Sequence, residues 1–436
     1  MVNCFAEQSA INEKSPVNVV GAPGIRAWTE VGTGPIRAMT DFAGELFVVS
    51  GAALYRVDSL GNSFNVGALP ALGTVLMVPG RSDLLIVVSN TGYRFDGSTL
   101  AEITDADFPT PKDADFTDGY MLVVERGTDR FWASEINDSS TWDGLQFATA
   151  ESAPDELNGI LVDHRQIVLA GEKTVEIWWN SGASGFPFER IPNGALEVGC
   201  SAGRSLAKAD NGVFWLDDER IVRRLVDLTP TRISQHGVEE AINGYSVISD
   251  AQGFTFTELG HIFYVLDFPT EGRTWVYDAT TQEWHERASN GQTGWRVDKY
   301  ARVYGRHFVT DRSTARIGIL EAGTNSEWGD PLTSTWTYKA IFDDGRRIDH
   351  SRLEIIARRG QGGTTAPKVT LEKSDDGGLT WETLPTRNLG AIGNYKARAR
   401  WFQLGSSFDR SYRASISDDL PRLIEATQYD AQAGVF

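Results

Sequence analysis

One short motif in the sequence has residue types and spacing with a defined mechanical role. The octapeptide SDDGGLTW at 374–381 fits the Asp-box pattern S-x-D-x-G-x-T-W through Ser374, Asp376, Gly378, Thr380 and Trp381. In this pattern the aspartate side chain closes a hairpin turn, glycine supplies a backbone conformation that other residues avoid, and tryptophan packs beneath the turn. The motif therefore predicts a structural turn.

Other residues that could carry catalysis or bind a metal show no organised pattern. Asp boxes recur in sialidase propellers, but a glycosidase needs two carboxyl groups about 5 to 9.5 Å apart. Among 59 acidic residues, neighbours such as Asp217-Asp218 and Asp343-Asp344 arise by composition alone. The six histidines stand singly, without HxH or HExxH, and there is no GxSxG, P-loop or dinucleotide fingerprint. We expect no catalytic, metal or cofactor site, and keep a sialidase-like or lectin-like carbohydrate-active propeller as the alternative.

Arginines near the C-terminus are candidates for an interface. The set comprises Arg346, Arg347, Arg358, Arg359, Arg398 and Arg400. In the stretch ARARW, two-residue alternation places Arg398 and Arg400 on one face of a strand and Trp401 on the other. Because arginine is enriched at interfaces and also pairs with phosphate, three readings stay open: a solvated face, a protein interface or a phosphate contact.

The charge of the chain is uneven. The 436 residues carry a formal charge of −18, yet 339–413 hold 14 Lys or Arg against 9 Asp or Glu. An acidic surface repels nucleic acid at long range, so sequence-specific DNA binding is disfavoured. Cys4 and Cys200 lie far apart, which indicates neither a disulfide framework nor a zinc site. No stretch approaches the roughly 18 to 20 apolar residues of a membrane helix, and we expect a protein made in the cytoplasm without a membrane span.

A repeated phrase organises the chain between Leu46 and Leu320. Seven times an apolar strand, a short turn and an aromatic-rich strand follow one another, and the steps between matching points are about 36 to 49 residues. Each unit offers three or four short strands, the content of a propeller blade. The copies between Asn211 and Glu321 are the least regular, so we expect about seven blades, with six also compatible.

The flanking segments differ in character from the repeats. Residues 1–32, with Pro16 and Pro23, predict an extended arm that runs along another surface and lies outside any ladder. The predicted propeller spans 33–321 and contains a short helix at His236–Tyr245, and a Gly, Asn and Pro linker covers 322–331. Residues 332–436 alternate with the two-residue period of half-exposed strands and predict a small β-sandwich or jelly roll, with 420–436 left open as strand or tail. The fold class is all-β.

Three stretches in order resemble one family. They are VNCFAE with PVNVVGAPGIRAW and GELFVVSGAALYRV near the N-terminus, the segment 129–182, and the segment 374–418. Together they resemble the packaged-DNA stabilisation proteins of short-tailed bacteriophages, the tail hub or nozzle proteins beneath the portal. No single motif is diagnostic, and the order of the three carries the resemblance.

The resemblance implies a role in the virion tail. Such proteins are non-enzymatic, form a sixfold ring with one propeller per subunit, and retain the packaged genome. The ring joins a portal adaptor above and tailspikes, fibres or a needle protein below, and double-stranded DNA passes through its lumen. The family carries no catalytic residues to transfer. This agrees with the acidic composition, because an acidic tube lets a polyanion slide without holding it.

Overall fold

The computed structural model describes residues 1–9, 15–150, 152–153, 155–358, 366–394 and 397–433. Its strands form a seven-bladed β-propeller followed by a β-sandwich, as the repeat and the C-terminal alternation predict. The three least regular copies of the repeat form the last three blades. The expectation that the blade count would fail there was wrong, because each of these copies still supplies enough strands to complete a blade.

Three strands precede the first blade. They are β1 (Cys4–Gln8), β2 (Val17–Gly21) and β3 (Gly24–Glu30). The hairpin β1–β2 joins a sheet of the sandwich, and β3 completes the seventh blade. The prediction that this segment lies outside any ladder was therefore wrong. Pro16 and Pro23 flank the strands, so neither removes a donor from a ladder.

The first six blades are four-stranded antiparallel sheets built from consecutive strands. Blades 1 to 3 are β4 (Ile36–Phe42), β5 (Glu45–Ser50), β6 (Ala53–Val57) and β7 (Ser63–Ala68); β8 (Val75–Pro79), β9 (Leu84–Val88), β10 (Thr91–Phe95) and β11 (Leu100–Glu102); and β12 (Pro111–Thr117), β13 (Tyr120–Glu125), β14 (Arg130–Glu135) and β15 (Asp138–Thr149). Blades 4 to 6 are β16 (Leu157–Asp163), β17 (Gln166–Gly171), β18 (Val175–Asn180) and β19 (Phe188–Leu196); β20 (Ala207–Ala209), β21 (Gly212–Leu216), β22 (Val222–Val226) and β23 (Thr229–Arg232); and β24 (Gln252–Glu258), β25 (His261–Phe268), β26 (Arg273–Asp278) and β27 (Glu283–Arg287).

The seventh blade combines both ends of the propeller sequence. Its strands are β28 (Val297–Val303), β29 (Arg306–Asp311), β30 (Arg316–Glu321) and, on the outer side, β3. Two short strands within the predicted linker, β31 (Ser326–Glu327) and β32 (Asp330–Pro331), extend the same sheet. The N-terminal strand closes the ring of blades. Neither the N-terminal nor the C-terminal end of the propeller sequence can detach without breaking the β3–β30 ladder.

Burial explains why the second strand of some blades is an unbroken apolar run. In β9 and β21 every residue is buried, because blades cover both faces of each sheet. Turns between the strands use left-handed backbone, as at Ala43 (φ 54°) and Gly44 (φ 80°) between β4 and β5. The helix expected at His236–Tyr245 is present as α1 (His236–Asn243), with Val238 and Ile242 buried.

The sandwich consists of two sheets. Its strands are β33 (Ser334–Thr337), β34 (Ile341–Phe342), β35 (Ile348–Ala357), β36 (Lys368–Ser374), β37 (Glu382–Thr383), β38 (Arg387–Asn388), β39 (Ala399–Phe402), β40 (Ser406–Ser407), β41 (Asp409–Ile416) and β42 (Leu423–Ala433). One sheet has the order β1-β2-β42-β35-β39 and the other β33-β41-β36-β37. The stretch left open as strand or tail contains β42, which pairs with β35 on one side and β2 on the other.

Candidate functional site

The Asp-box residues form a closed turn between β36 and β37. Asp376 accepts hydrogen bonds from the backbone N–H of Thr380 at 3.0 Å and from the hydroxyl of Ser374 at 2.7 Å. Gly377 (φ 73°) and Gly378 (φ 92°) occupy left-handed backbone, and the Trp381 indole donates to the Gly378 carbonyl at 3.0 Å. The Asp376 oxygens are engaged within the turn, an arrangement that holds a hairpin in shape.

The Asp376 carboxylate should hold this turn down to low pH. Hydrogen bonds from Thr380 lower the pKa of Asp376 to about 2, so its contribution is present above pH about 4 and is lost only as the pH falls through 2. Asp376→Ala should accelerate amide exchange at Gly378 and Thr380, measured by NMR. Glu382→Ala, on the same hairpin, should leave these amides unchanged, and equal exchange in both variants would contradict the assignment.

Arg398 and Arg400 converge on a buried carboxylate. Glu354 of β35 is 0% exposed and accepts from Arg400 Nε at 2.8 Å and from Arg398 Nη1 at 3.3 Å. Arg352 approaches the same carboxylate at 3.5 Å. The alternation in ARARW places the two arginines on one face, and the neighbouring strand supplies their partner. This one carboxylate balances at most half of the charge of the two arginines within the sandwich.

The other arginines of the predicted interface set lie at the ends of β35. Arg346 and Arg347 are exposed in the turn before β35, and Arg347 Nε donates to Ser406 Oγ at 2.7 Å. Arg358 is exposed directly after β35. Arg359 lies outside the described residues. The structure therefore separates the set into an Arg398–Arg400 pair and two exposed groups.

A narrow channel runs along the propeller axis. One stretch of every blade or of the loop before it lines the channel, and its volume is about 330 Å³. A space of this size holds small clusters of water, far less than a DNA duplex requires. Nucleic acid therefore cannot pass through a single propeller.

Charged groups of both signs face the channel. Asp113 and Asp115 of β12 accept backbone N–H bonds from Ile160 at 3.0 Å and Val162 at 2.6 Å, which join blade 3 to blade 4. Lys299 donates to Gln252 at 2.7 Å. Burial raises the pKa of Asp113 to about 6 and lowers the pKa of Lys299. The polar groups that line the channel therefore form hydrogen bonds between neighbouring blades.

The shifted Asp113 predicts a pH effect on stability. A pKa raised from about 4 to about 6 means that Asp113 contributes stability below pH 4, which is lost as the pH rises through 6. The free energy of unfolding of the wild type, relative to Asp113→Asn, should fall by about 1–2 kcal/mol between pH 4 and 7. A pKa shift of about two units corresponds to roughly 3 kcal/mol, and water in the channel screens part of this energy. Urea unfolding at several pH values measures this, and parallel curves would contradict it.

The N-terminal residues form the junction between the two domains. Val2 bridges Thr335 of the sandwich and Glu286 of blade 6. The Asn3 amide donates to the carbonyls of Ala288 at 2.7 Å and Thr333 at 2.9 Å. In β1 the side chains alternate, so that Cys4 packs in the sandwich core and Phe5 in the propeller core. Sequence reasoning missed this junction, although apolar residues on both faces of VNCF are its signal.

A buried ion pair sits under the junction. Glu327 of β31 is 1% exposed and accepts from Ser289 Oγ and Trp295 Nε1, both at 2.6 Å, and from Arg287 Nη2 at 3.3 Å. Arg287 is 2% exposed, donates twice to the Pro23 carbonyl at 3.0 Å, and lies 4.2 Å from the Trp295 ring centroid. This cluster joins blades 6 and 7, the N-terminal segment and β31.

Within the described ranges, no group of three or more His, Cys, Asp or Glu side chains is placed to hold a metal ion. In the same part of the chain, no helix is long and apolar enough to span a membrane.

Comparison with known families covers both domains. Residues 1–325 match the family described as Bacteriophage P22 Gp10, beta-propeller, and residues 335–432 match Bacteriophage P22 Gp10, beta-sandwich. The chain belongs to the bacteriophage P22 Gp10 family. The family resemblance and the all-β propeller-plus-sandwich fold are thereby confirmed. The propeller match begins at residue 1, consistent with the N-terminal strand that closes blade 7.

Several solved structures are similar to this chain at low sequence identity. The chain is similar to BamB from Moraxella catarrhalis (10% identity, TM-score 0.45, 73% of this chain and 98% of that one). It is also similar to the Pan2 WD40 domain of Neurospora crassa (10% identity, TM-score 0.44, 68% and 95%). A third is the extracellular domain of BT4673 from B. thetaiotaomicron (9% identity, TM-score 0.47, 92% and 58%). No curated protein matches the sequence significantly.

Proposed function

We propose that this protein is a structural subunit of a short-tailed phage tail, a nozzle that forms a ring below the portal adaptor. The family match over both domains carries the proposal. In this role the chain has no catalytic task. Several copies surround the DNA exit path and retain the packaged genome.

The width of the propeller channel supports a path between copies. A channel of about 330 Å³ within one subunit excludes a duplex, so a DNA conduit requires walls from more than one subunit. The family resemblance suggests six copies. The acidic composition suits such a wall, because a negative lining weakens attachment of the polyanion and lets it move.

The junction supports a role that transmits load. Hydrogen bonds of Val2 and Asn3 fasten the sandwich to blade 6 and the residue that follows it. The Glu327 cluster joins blades 6 and 7 beneath these contacts. A subunit that plugs a pressurised channel must keep its two domains in a fixed relation. In the assembly we expect one end of the ring to bind the portal adaptor and the other a tailspike, fibre or needle protein.

Loss of the protein should release the genome. Particles assembled by phage that lack this gene should package DNA and then lose it, so their DNA becomes sensitive to added nuclease. Supplying the wild-type protein to such particles should restore protection. Nuclease-resistant DNA in particles without the protein would contradict the proposed function.

A further inference from the structure

A cavity lies at the rim of blades 3 and 4, away from the domain junction. Its volume is about 520 Å³, within the usual range of small-molecule sites. The turn after β12, the turn between β16 and β17, and the ends of β18 and β19 form it. The side chains that line it include Asp118, His164, Arg165, Trp179 and Asn180.

Two neighbouring tryptophans on β18 differ in their environment. Trp178 is 9% exposed and donates its indole N–H to Glu176 at 2.8 Å inside the blade. Trp179 is 45% exposed and lines the cavity. Its backbone is held between Gln166 of β17 and Glu189 of β19. The exposed indole is therefore a broad apolar face on a rigid strand.

The rest of the lining includes polar groups that are hydrogen-bonded to one another. Asp118 accepts from Arg165 Nη2 at 2.9 Å and from Asn180 Nδ2 at 3.1 Å, which brings a carboxylate, a guanidinium and an amide together. His164 (φ 46°) and Arg165 (φ 66°) form a tight turn in left-handed backbone. An Asn-Gly sequence adopts this conformation at a lower free-energy cost than His-Arg. The turn thus presents two functional side chains at a backbone cost.

We infer that this cavity is a binding site for a neutral saccharide. An indole face packs against the C–H face of a sugar ring, and fixed carboxylate, amide and guanidinium groups match its hydroxyls. Asp118 neutralises Arg165, and Asp163 lies beside His164 at 3.0 Å, so the site has no surplus cation for a phosphate or a carboxylate. A neutral ligand fits this charge balance better than an anionic one.

Direct titration of the full-length protein tests this inference. The probes are oligosaccharides of glucose, galactose and mannose, with uronic-acid oligomers as the anionic comparison. The readouts are the tryptophan fluorescence of the protein and the NMR chemical shifts of the Trp179 indole. At least one neutral probe should bind, and Trp179→Ala should weaken it by about tenfold or more. Asp118→Asn should weaken it too, whereas Phe402→Ala, which removes a 58% exposed aromatic from the sandwich, should not.

Three results would overturn the inference. They are no binding across the neutral panel at millimolar concentration, preference for the uronic acids, or a Trp179→Ala variant that binds like wild type. Binding of an apolar peptide to this cavity in place of all sugars would also overturn it. The test uses isolated protein, so either result leaves the assembly role to be judged separately.

Discussion

Glu327→Ala should lower the free energy of unfolding by about 3–5 kcal/mol, the cost of leaving a buried charge without its partner. The substitution leaves the Arg287 guanidinium, which is 2% exposed, without its carboxylate partner. Burial already lowers the pKa of Arg287. It also removes the acceptor of the Ser289 hydroxyl and the Trp295 indole. Urea unfolding followed by circular dichroism measures the effect.

Glu321→Ala is the matched control. Glu321 lies six residues earlier and pairs with Arg26 at 2.6 Å, but the two side chains are 34% and 49% exposed. A solvent-exposed pair contributes less than about 1 kcal/mol. If the two variants lose similar stability, the Glu327 cluster does not hold blades 6 and 7 together beneath the junction.

Phe5→Ala should have a comparable effect through packing. Phe5 is 2% exposed, and its ring centroid lies 4.8 Å from His261 and 5.2 Å from Phe263 in blade 6. Truncating a buried phenylalanine costs about 3–5 kcal/mol. Because the β1 hairpin also carries a sandwich edge, we expect protease cleavage near the domain junction to accelerate.

Val17→Ala tests whether the loss of stability is specific to the buried side chains of the β1–β2 hairpin. Val17 belongs to the same hairpin but is 45% exposed. Its truncation should change stability by no more than about 0.5 kcal/mol, as surface substitutions usually do. A Phe5→Ala variant that unfolds and is cleaved like Val17→Ala would show that the hairpin does not couple the domains.

Local pattern was enough to predict the propeller and the sandwich. Strands covered on both sides read as continuous apolar runs, as in the LLIVV of β9, and strands with one wet face alternate, as in β41. The Asp-box pattern likewise predicts its turn, because the hydrogen bonds of the turn lie within the eight residues of the motif. These features depend on neighbours in sequence.

Features that depend on distant partners were not predictable. The pairing of β3 with β30 joins residues almost 300 positions apart, and no composition signal specifies it. Alternation placed Arg398 and Arg400 on one face but could not identify Glu354 as their partner. Glu327 stands in a Gly, Asn and Pro stretch that reads as a linker, and only its three buried donors show its role. The Trp179 cavity was missed because its walls come from two blades.

Electron cryomicroscopy of the intact phage tail tests the central claim most directly. We expect a closed ring of copies of this chain below the portal adaptor, with the DNA path enclosed between subunits and outside every propeller channel. Each subunit should show β3 in blade 7 and the β1–β2 hairpin in the sandwich. A tail that lacks the chain, or one in which its copies do not surround the DNA path, would contradict the account.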